Sequence, residues 1–166
     1  AKGYTQTKGI DYEETFSPVV NFWTIMTILT IAANQHYHVH QLDIDAAYLN
    51  AELKENIVMI PPKELGLDLR ENEVLQLKKS IYGLKQAGRE WNDLFCKSLT
   101  KIGWKKSLND HCLFTRKING KLTYLTVYVD DIILAAPDLE SLESCKHSIK
   151  SLFACKDIGE LRFILG

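Results

Sequence analysis

Net charge is almost absent from this sequence. Its 20 Lys and Arg residues are offset by 21 Asp and Glu residues, so the formal net charge of the 166-residue chain is −1 at pH 7. A protein that coats nucleic acid without sequence preference needs many cationic side chains, because phosphate contacts supply most of its affinity. The composition therefore argues against that class of protein, although it still permits a local basic groove.

Membrane and zinc signals are also missing. No apolar run is long enough to cross a bilayer, and the sequence has no signal peptide. None of the cysteines has the C-x-x-C spacing of a zinc site; they are Cys96, Cys112, Cys145 and Cys155. Free buried thiols are typical of a reducing compartment, so we expect a soluble, intracellular protein. The chain begins at Ala1 rather than Met and ends in an apolar run, as expected of a segment excised from a longer protein.

Apolar periodicity predicts an α+β fold. Hydrophobic residues make up 46% of the chain and charged residues 25%, which suits one globular domain with a core. Helices are predicted at 22–34 after the capping residue Asn21, around 91–102, and after Pro137-Asp138. Strands are predicted at 37–44, 57–60, 74–77, from 112, 121–129, 132–136 and 161–165, with a hairpin turn at Asn119-Gly120. Runs of strands with helices that cover one face are typical of the α+β class.

Two adjacent aspartates, Asp130 and Asp131, lie between the apolar, β-prone runs 124–129 and 132–136. This pattern predicts a tight hairpin with both carboxylates at its tip. Adjacent like charges repel, and a divalent cation such as Mg²⁺, which prefers hard oxygen ligands, would remove the repulsion. Asp is also a good turn former, so the pair alone is compatible with a metal site or with a simple turn.

A third acid, Asp43, lies between the apolar residues Leu42 and Ile44 and therefore points to the opposite face of its strand. Because neighbouring strands lie only about 4.8 Å apart, a sheet that pairs this strand with the aspartate hairpin would bring three carboxylates together. Three carboxylates can hold two Mg²⁺ ions roughly 3.5–4 Å apart, the arrangement used for in-line displacement at phosphorus.

Several motifs occur in order along nearly the whole chain. They are Lys2-Gly3-Tyr4-Thr5-Gln6, Thr15-Phe16-Ser17-Pro18-Val19-Val20, Leu42-Asp43-Ile44 with Ala47-Tyr48-Leu49-Asn50, Tyr82-Gly83-Leu84-Lys85-Gln86, Tyr128-Val129-Asp130-Asp131, and the tail from Gly159-Glu160-Leu161 to Leu165-Gly166. Together they resemble the reverse transcriptase of copia-type LTR retrotransposons. Motifs matching in this order along the chain are strong support, whereas the aspartate pair alone is weak.

The resemblance implies the palm of a right-hand polymerase, a ferredoxin-like antiparallel sheet with helices on one face, plus partial fingers. We expect a single reverse transcriptase segment over residues 1–166. Its arm and partial fingers would be residues 1–20 and 55–80, and its palm residues 21–54 and 81–166. The thumb, connection and RNase H regions would be absent from this segment.

The resemblance also implies roles for the acidic residues. Asp43, Asp130 and Asp131 would be the catalytic carboxylates and would hold two Mg²⁺ ions, for which Mn²⁺ is a possible substitute. The backbone carbonyl of Ile44 would add a metal ligand. Ala46 stands where retroviral enzymes have an acidic residue, and Asp45 is an extra acid that is either a supporting group or simply exposed.

Further residues would bind the substrates. Tyr48, Tyr82 and Gly83 would bind the nucleotide, with Tyr48 as an aromatic gate that excludes a 2′-hydroxyl; the alternative for Tyr48 is a half-buried packing residue. Nucleic acid would be bound by Lys85, Gln86 and Tyr128. The alternative for the 82–86 segment is a solvated basic loop. Gly88 replaces the proline of many copia-type elements.

Three alternating histidines, His36, His38 and His40, would share one face if they lay on a strand, which invites a metal hypothesis. We do not expect such a site, because no acid or cysteine stands at ligand spacing from them. They would also lie on the side of Leu42 and Ile44, away from Asp43.

The expected function is that of an RNA-directed DNA polymerase that adds dNTPs to a primer on an RNA or DNA template. The parent would be a Gag-Pol polyprotein with thumb, RNase H and integrase regions. It would work in cytoplasmic virus-like particles, with its product destined for the nucleus and no membrane partner. This segment alone is expected to be weakly active or inactive. One alternative is an inactive or repurposed remnant that retains the fold. Another is an unrelated metal-binding or nucleotide-binding α+β module, in which Asp43 would lie far from the aspartate hairpin.

Overall fold

The computed structural model describes residues 1–67, 70 and 73–164. Its helices are α1 (Phe22–Gln35), α2 (Ala87–Lys101) and α3 (Leu139–Lys150). Its strands are β1 (His38–Ile44), β2 (Val58–Met59), β3 (Leu75–Gln76), β4 (Lys105–Lys106), β5 (Leu113–Ile118), β6 (Lys121–Tyr128), β7 (Asp131–Ala136) and β8 (Cys155–Glu160). The α+β class predicted from the sequence is confirmed. Within the described ranges, no helix has both the length and the apolar character needed to span a membrane.

Six strands form one antiparallel sheet in the order β4-β5-β6-β7-β1-β8, and β2 and β3 form a separate antiparallel pair. The predicted hairpin turn at Asn119 and Gly120 joins β5 to β6. These two residues have φ angles of 50° and 80°, and positive φ at both central residues is what a tight two-residue turn requires. The strand β1 lies between β7 and β8, although both are distant from it in sequence.

Side chains cap the starts of two helices, and the cap at Asn21 was predicted. The side chain of Asn21 accepts a hydrogen bond from the Trp23 N–H at the start of α1, and the side chain of Asp138 accepts one from the Ser141 N–H at the start of α3. Such bonds satisfy N–H groups that have no partner within the helix. At its other end, α1 is followed by His36 with a φ of 55°. His36 therefore lies outside β1, and the alternating histidine triplet does not form on a strand.

The helix α1 packs on the apolar end of one face of the sheet. Ile28 and Ala32 of α1 form a buried cluster with Ala135 of β7, and Val39 of β1 packs against it. Asp131 lies four residues before Ala135 on β7, so alternation along the strand puts both on the same face. The expectation of helices on one face only is therefore wrong, because α1 covers the apolar end of the face that carries the aspartates.

The helix α3 covers the opposite face. Nζ of Lys146, a buried residue of α3, lies 2.7 Å from Nδ1 of His40 on β1. His40 has the same parity along β1 as the buried residues Leu42 and Ile44. The sheet therefore has α1 on one side and α3 on the other.

Contacts divide the chain into two compact units. The first unit contains Ala1–Ser17 and Tyr48–Asn92, and the second contains Pro18–Ala47 and Asp93–Gly166. Within the first unit, Leu84 and Ala87 pack in a buried cluster with Ile57. The names palm and fingers for these parts stay a prediction.

Some strand positions differ from those predicted. The last strand is Cys155–Glu160 rather than 161–165, and residue 165 lies outside the described residues. The strands β2 and β3 are shorter than predicted, and residues 68, 69, 71 and 72 of the segment between them also lie outside the described part. The strand β4 was not predicted because both of its residues are exposed lysines.

Candidate active site

Asp43 on β1 stands directly opposite Asp131 on β7 in the antiparallel register. Close to this pair, the Ile44 N–H donates a 2.9 Å hydrogen bond to the backbone carbonyl of Asp130. The strand pairing expected from the sequence is therefore present. It brings one acid from early in the chain to the acidic hairpin that lies almost 90 residues later, and all three side chains are half-buried.

The hairpin that carries Asp130 has an unusual backbone. Tyr128 pairs with Asp131, which leaves Val129 and Asp130 as the two central residues of the turn. Val129 has a φ of 57°, although a β-branched residue is strongly disfavoured in the left-handed region. Of the two central residues only Val129 has a positive φ, and turns with positive φ at the first central residue alone normally have Gly there. Strain of this kind persists where the surrounding structure enforces it, and it clusters at functional sites.

The carboxylate of Asp131 is held by a neighbour. Nε2 of Gln41 donates a 2.8 Å hydrogen bond to Oδ1 of Asp131. Gln41 lies two residues before Asp43, so both side chains are on the same face of β1. This bond orients one of the predicted catalytic acids, a role for Gln41 that no local sequence signal indicated.

Burial and the neighbouring acids raise the pKa of Asp43. Burial is the largest cause, followed by the negative charges of Asp130, Asp131 and Asp45, whereas the positive charge of Lys156 opposes the shift. Lys156 on β8 is the register partner of Asp43 on the side away from β7. Sequence reasoning missed Lys156, because no local signal reveals which residue of an edge strand stands opposite Asp43.

The acidic side chains of this site are of the type that binds Mg²⁺. Carboxylate oxygens are the ligands that Mg²⁺ takes in proteins, and the mutual repulsion that raises the Asp43 pKa is what a cation would relieve. No group of three His, Cys, Asp or Glu side chains within the described ranges is already arranged around a metal position, and Asp131 contacts Gln41 instead. The residue types fit a divalent cation, and the ligand roles, including the carbonyl of Ile44, stay predictions.

Tyr128 lies beside the acids on β6. It pairs with Asp131 and is 39% exposed. Paired residues of adjacent strands point to the same face, so the Tyr128 ring is on the aspartate face and accessible to a ligand there. This placement is compatible with its predicted contact to nucleic acid.

Comparisons with known proteins decide the family. The family model described as "Reverse transcriptase (RNA-dependent DNA polymerase)" matches residues 1–166. The chain belongs to the reverse transcriptase family.

Similar proteins are retrotransposon polyproteins. The chain is 38% identical over 167 residues to a Retrovirus-related Pol polyprotein from transposon RE1 of Arabidopsis thaliana, covering 100% of this chain and 11% of the relative. It is 38% identical over 169 residues to the corresponding polyprotein from transposon TNT 1-94 of Nicotiana tabacum, covering 99% and 12%. It is 33% identical over 156 residues to the Transposon Ty1-H Gag-Pol polyprotein of Saccharomyces cerevisiae, covering 90% and 8%. The copia-type resemblance is thereby confirmed, and this reverse transcriptase sequence spans about a tenth of the length of these relatives.

In the first unit of this reverse transcriptase domain, Tyr48 and Tyr82 contact each other. Their ring centroids are 4.7 Å apart, with an angle of 50° between the ring planes. Tyr48 also packs against the buried cluster of Ile57, Leu84 and Ala87, whereas Tyr82 is 72% exposed. These contacts support a packing role for Tyr48, and its role as a sugar gate stays a prediction.

The segment after Tyr82 lies against the N-terminal arm. Gly83 has a φ of 94°, and a Cβ atom there would overlap the backbone of Ala1. The exposed residue Lys85 places Nζ 5.7 Å from the centre of the Tyr12 ring, a cation–π contact. Gly83 is thus required for close approach of the arm, and its predicted nucleotide contact is untested.

Gln86 requires a correction. It was predicted to contact nucleic acid, but its side chain is completely buried. Its Oε1 accepts a 3.0 Å hydrogen bond from Nε2 of Gln6, and its Nε2 donates a 2.9 Å bond to the carbonyl of Asp11. A buried amide with both ends bonded supports the loop rather than touching a ligand.

Proposed function

We propose that this chain is the catalytic part of an RNA-directed DNA polymerase, a nucleotidyltransferase that adds dNTPs to a primer by two-metal phosphoryl transfer. Asp43, Asp130 and Asp131 are its catalytic carboxylates. The observation that carries the proposal is the register pairing of Asp43 with Asp131 beside the strained turn at Asp130. An unrelated α+β module would have no reason to bring these acids together.

The carboxylates would hold two Mg²⁺ ions, or Mn²⁺ in their place. When bound, such ions lower the pKa of the attacking 3′-hydroxyl and neutralise charge on the leaving pyrophosphate. Gln41 keeps the Asp131 carboxylate in one orientation through its hydrogen bond. Lys156 offsets part of the negative charge around Asp43. The Gln41 contact thus orients an acid for a cation, whereas the positive charge of Lys156 competes with one, and neither residue adds a ligand.

Substrate contacts are proposed for the exposed aromatic and basic residues. Tyr48, Tyr82 and Gly83 would contact the incoming dNTP, and Lys85 and Tyr128 the RNA or DNA template-primer. Exposed aromatic rings stack on bases, and lysines contact phosphates. Exposure of Tyr82, Lys85 and Tyr128 supports these contacts.

The working context is proposed from the relatives. The Ty1 relatives are described as Gag-Pol polyproteins. By analogy, this domain would act with thumb, RNase H and integrase regions of such a polyprotein, inside cytoplasmic virus-like particles, with its DNA product destined for the nucleus.

The deciding experiment is primer extension on RNA and DNA templates with Mg²⁺ and with Mn²⁺. The wild-type chain is compared with Asp130→Asn and with Asp45→Asn, a matched loss of one negative charge at an exposed acid next to the site. We expect weak activity for this chain, lost in Asp130→Asn and retained in Asp45→Asn. Mn²⁺ binding, measured by electron paramagnetic resonance, should follow the same order. Absence of both activity and Mn²⁺ binding in the wild type would instead favour an inactive remnant that retains the fold.

A further inference from the structure

The N-terminal arm of the first unit, residues 1–17, runs along the segment that carries Tyr82 and Lys85. Near the end of this contact, Oγ of Ser17 donates a 3.0 Å hydrogen bond to the carbonyl of Gly88. At its beginning, the approach is so close that a Cβ atom on Gly3 would overlap the carbonyl of Gly83. The arm therefore supports the loop directly.

Both ends of the Gln6 side chain are used in this contact. Its Nε2 donates a 3.0 Å hydrogen bond to Oε1 of Gln86, and its Oε1 accepts a 2.8 Å hydrogen bond from the Lys85 N–H. Gln86 in turn donates to the carbonyl of Asp11, further along the arm. A single amide thus fixes the backbone at Lys85 and the buried side chain of Gln86.

The loop that Gln6 fixes presents two exposed residues of the kind that bind nucleic acid. Tyr82 is 72% exposed, and Lys85 is exposed above the ring of Tyr12. A ligand that contacts both residues binds more tightly when their positions are already fixed, because ordering them on binding costs free energy. Through Gln6, the arm fixes the loop that carries Tyr82 and Lys85, and Gln6 itself does not contact the ligand.

We propose that Gln6 is a positioning residue for template-primer binding, which acts by holding the Lys85 backbone and Gln86. The inference rests on the proposed function, since it takes the Tyr82–Lys85 loop to be part of the nucleic-acid surface. It assigns to the arm a role that the motif comparison did not give it.

The test uses the whole chain and a fluorescein-labelled RNA–DNA template-primer, with affinity measured by anisotropy. Gln6→Leu removes both hydrogen bonds, and we expect the Kd to rise about three- to tenfold, as the loss of roughly one net hydrogen bond predicts. Gln6→Glu keeps an acceptor for the Lys85 N–H but lacks the donor to Gln86, so its Kd should be intermediate. Gln76→Leu is the matched control, because it breaks an exposed Gln76–Asn56 amide pair in the same unit and should leave the Kd unchanged.

Two measurements separate positioning from general loss of structure. Hydrogen exchange at the Lys85 amide should accelerate in Gln6→Leu but stay slow in Gln6→Glu. In a double-mutant cycle, adding Gln6→Leu to Lys85→Gln should weaken binding by less than it does in the wild type, because the lost lysine can no longer be positioned. A simple destabilisation would give additive effects instead.

The outcomes are distinguishable. If the wild-type chain binds template-primer and Gln6→Leu binds it equally well, or if the cycle is additive, the inference about Gln6 is overturned and the proposed function stands. If the wild-type chain binds no template-primer under any salt condition, the nucleic-acid part of the proposed function fails and this inference fails with it.

Discussion

Lys156 on β8 lies directly opposite Asp43 on the neighbouring strand β1. The positive charge of this lysine therefore lies beside the acid that is surrounded by Asp130, Asp131 and Asp45. Lys156→Met removes this positive charge. We expect Mn²⁺ to bind a few times more tightly to the variant, since an exposed charge at short range is worth on the order of 1 kcal/mol. Lys105→Met is the control, because Lys105 is an exposed lysine on β4 at the other edge of the same sheet. Isothermal titration at low salt measures the difference, and equal affinities in all three proteins would contradict the prediction.

Removing Gln41 should weaken metal binding. In Gln41→Leu the Asp131 carboxylate loses the amide that orients it, and loss of such supporting bonds typically costs about 10- to 100-fold in metal affinity. The measurement is Mn²⁺ binding by electron paramagnetic resonance. Gln35→Leu, a change at an exposed glutamine in the last turn of α1, should leave Mn²⁺ affinity at the wild-type value.

Sugar selection tests Tyr48. If its ring excludes a 2′-hydroxyl, Tyr48→Ala should increase ribonucleotide incorporation relative to deoxynucleotide incorporation in primer extension with Mn²⁺. Tyr48→Phe keeps the ring and its packing against the cluster of Ile57, Leu84 and Ala87, so its selectivity should match that of the wild type. Unchanged discrimination in Tyr48→Ala would leave Tyr48 with a packing role only.

Acid should destabilise the second unit through His40. Its pKa is lowered by burial, and next by the adjacent Lys146, although Asp157, Glu143 and Glu160 oppose the shift. An unfolded histidine titrates near ~6.5, so below that pH the unfolded chain binds more protons and the free energy of unfolding falls as pH falls. His40→Gln removes the titrating group but keeps an acceptor for Lys146, so its loss of stability between pH 7.5 and 5.5 should be smaller. Urea unfolding measures this, with the exposed His147→Gln as a control that should behave like the wild type.

Because Val129 lies in a strained turn, we expect its replacement by glycine to stabilise the protein. Val129→Gly relieves the positive φ of 57° and should raise the free energy of unfolding by about 1 kcal/mol, the usual cost of this region for a residue with a Cβ. The same change at Val39, which lies in β1 and packs against the core, should lower it. Urea titration of both variants checks the signs, and destabilisation by Val129→Gly would show that the valine side chain matters more than the backbone strain.

Local signals were sufficient where structure depends on neighbours in sequence. Asn21 was identified as a cap, Pro137-Asp138 as a helix start and Asn119-Gly120 as a turn, because each residue type satisfies a nearby backbone requirement. The acidic cluster was also predictable, since apolar runs on both sides of Asp130 and Asp131 and around Asp43 indicate strands. Matching motifs in order then made their pairing an expectation.

Distant partners were not predictable. Gln86 is buried because Gln6 and Asp11 reach it from about 80 residues earlier, and its own segment reads as a polar loop. The strand β8 was placed too late, because Cys155–Glu160 contains Gly159 and three charged residues and lies at the sheet edge. The packing of α1 on the aspartate face depends on which strands neighbour one another, which hydrophobic periodicity does not determine.

The position of α1 limits the room beside the acids. Val39, which contacts the α1 cluster, lies four residues before Asp43 on the same strand, a separation of about 13 Å at the usual rise per residue. A ligand seated over the carboxylates would therefore meet α1 on one side, about 13 Å along the strands. A template-primer bound there as proposed would be blocked by α1 on this side.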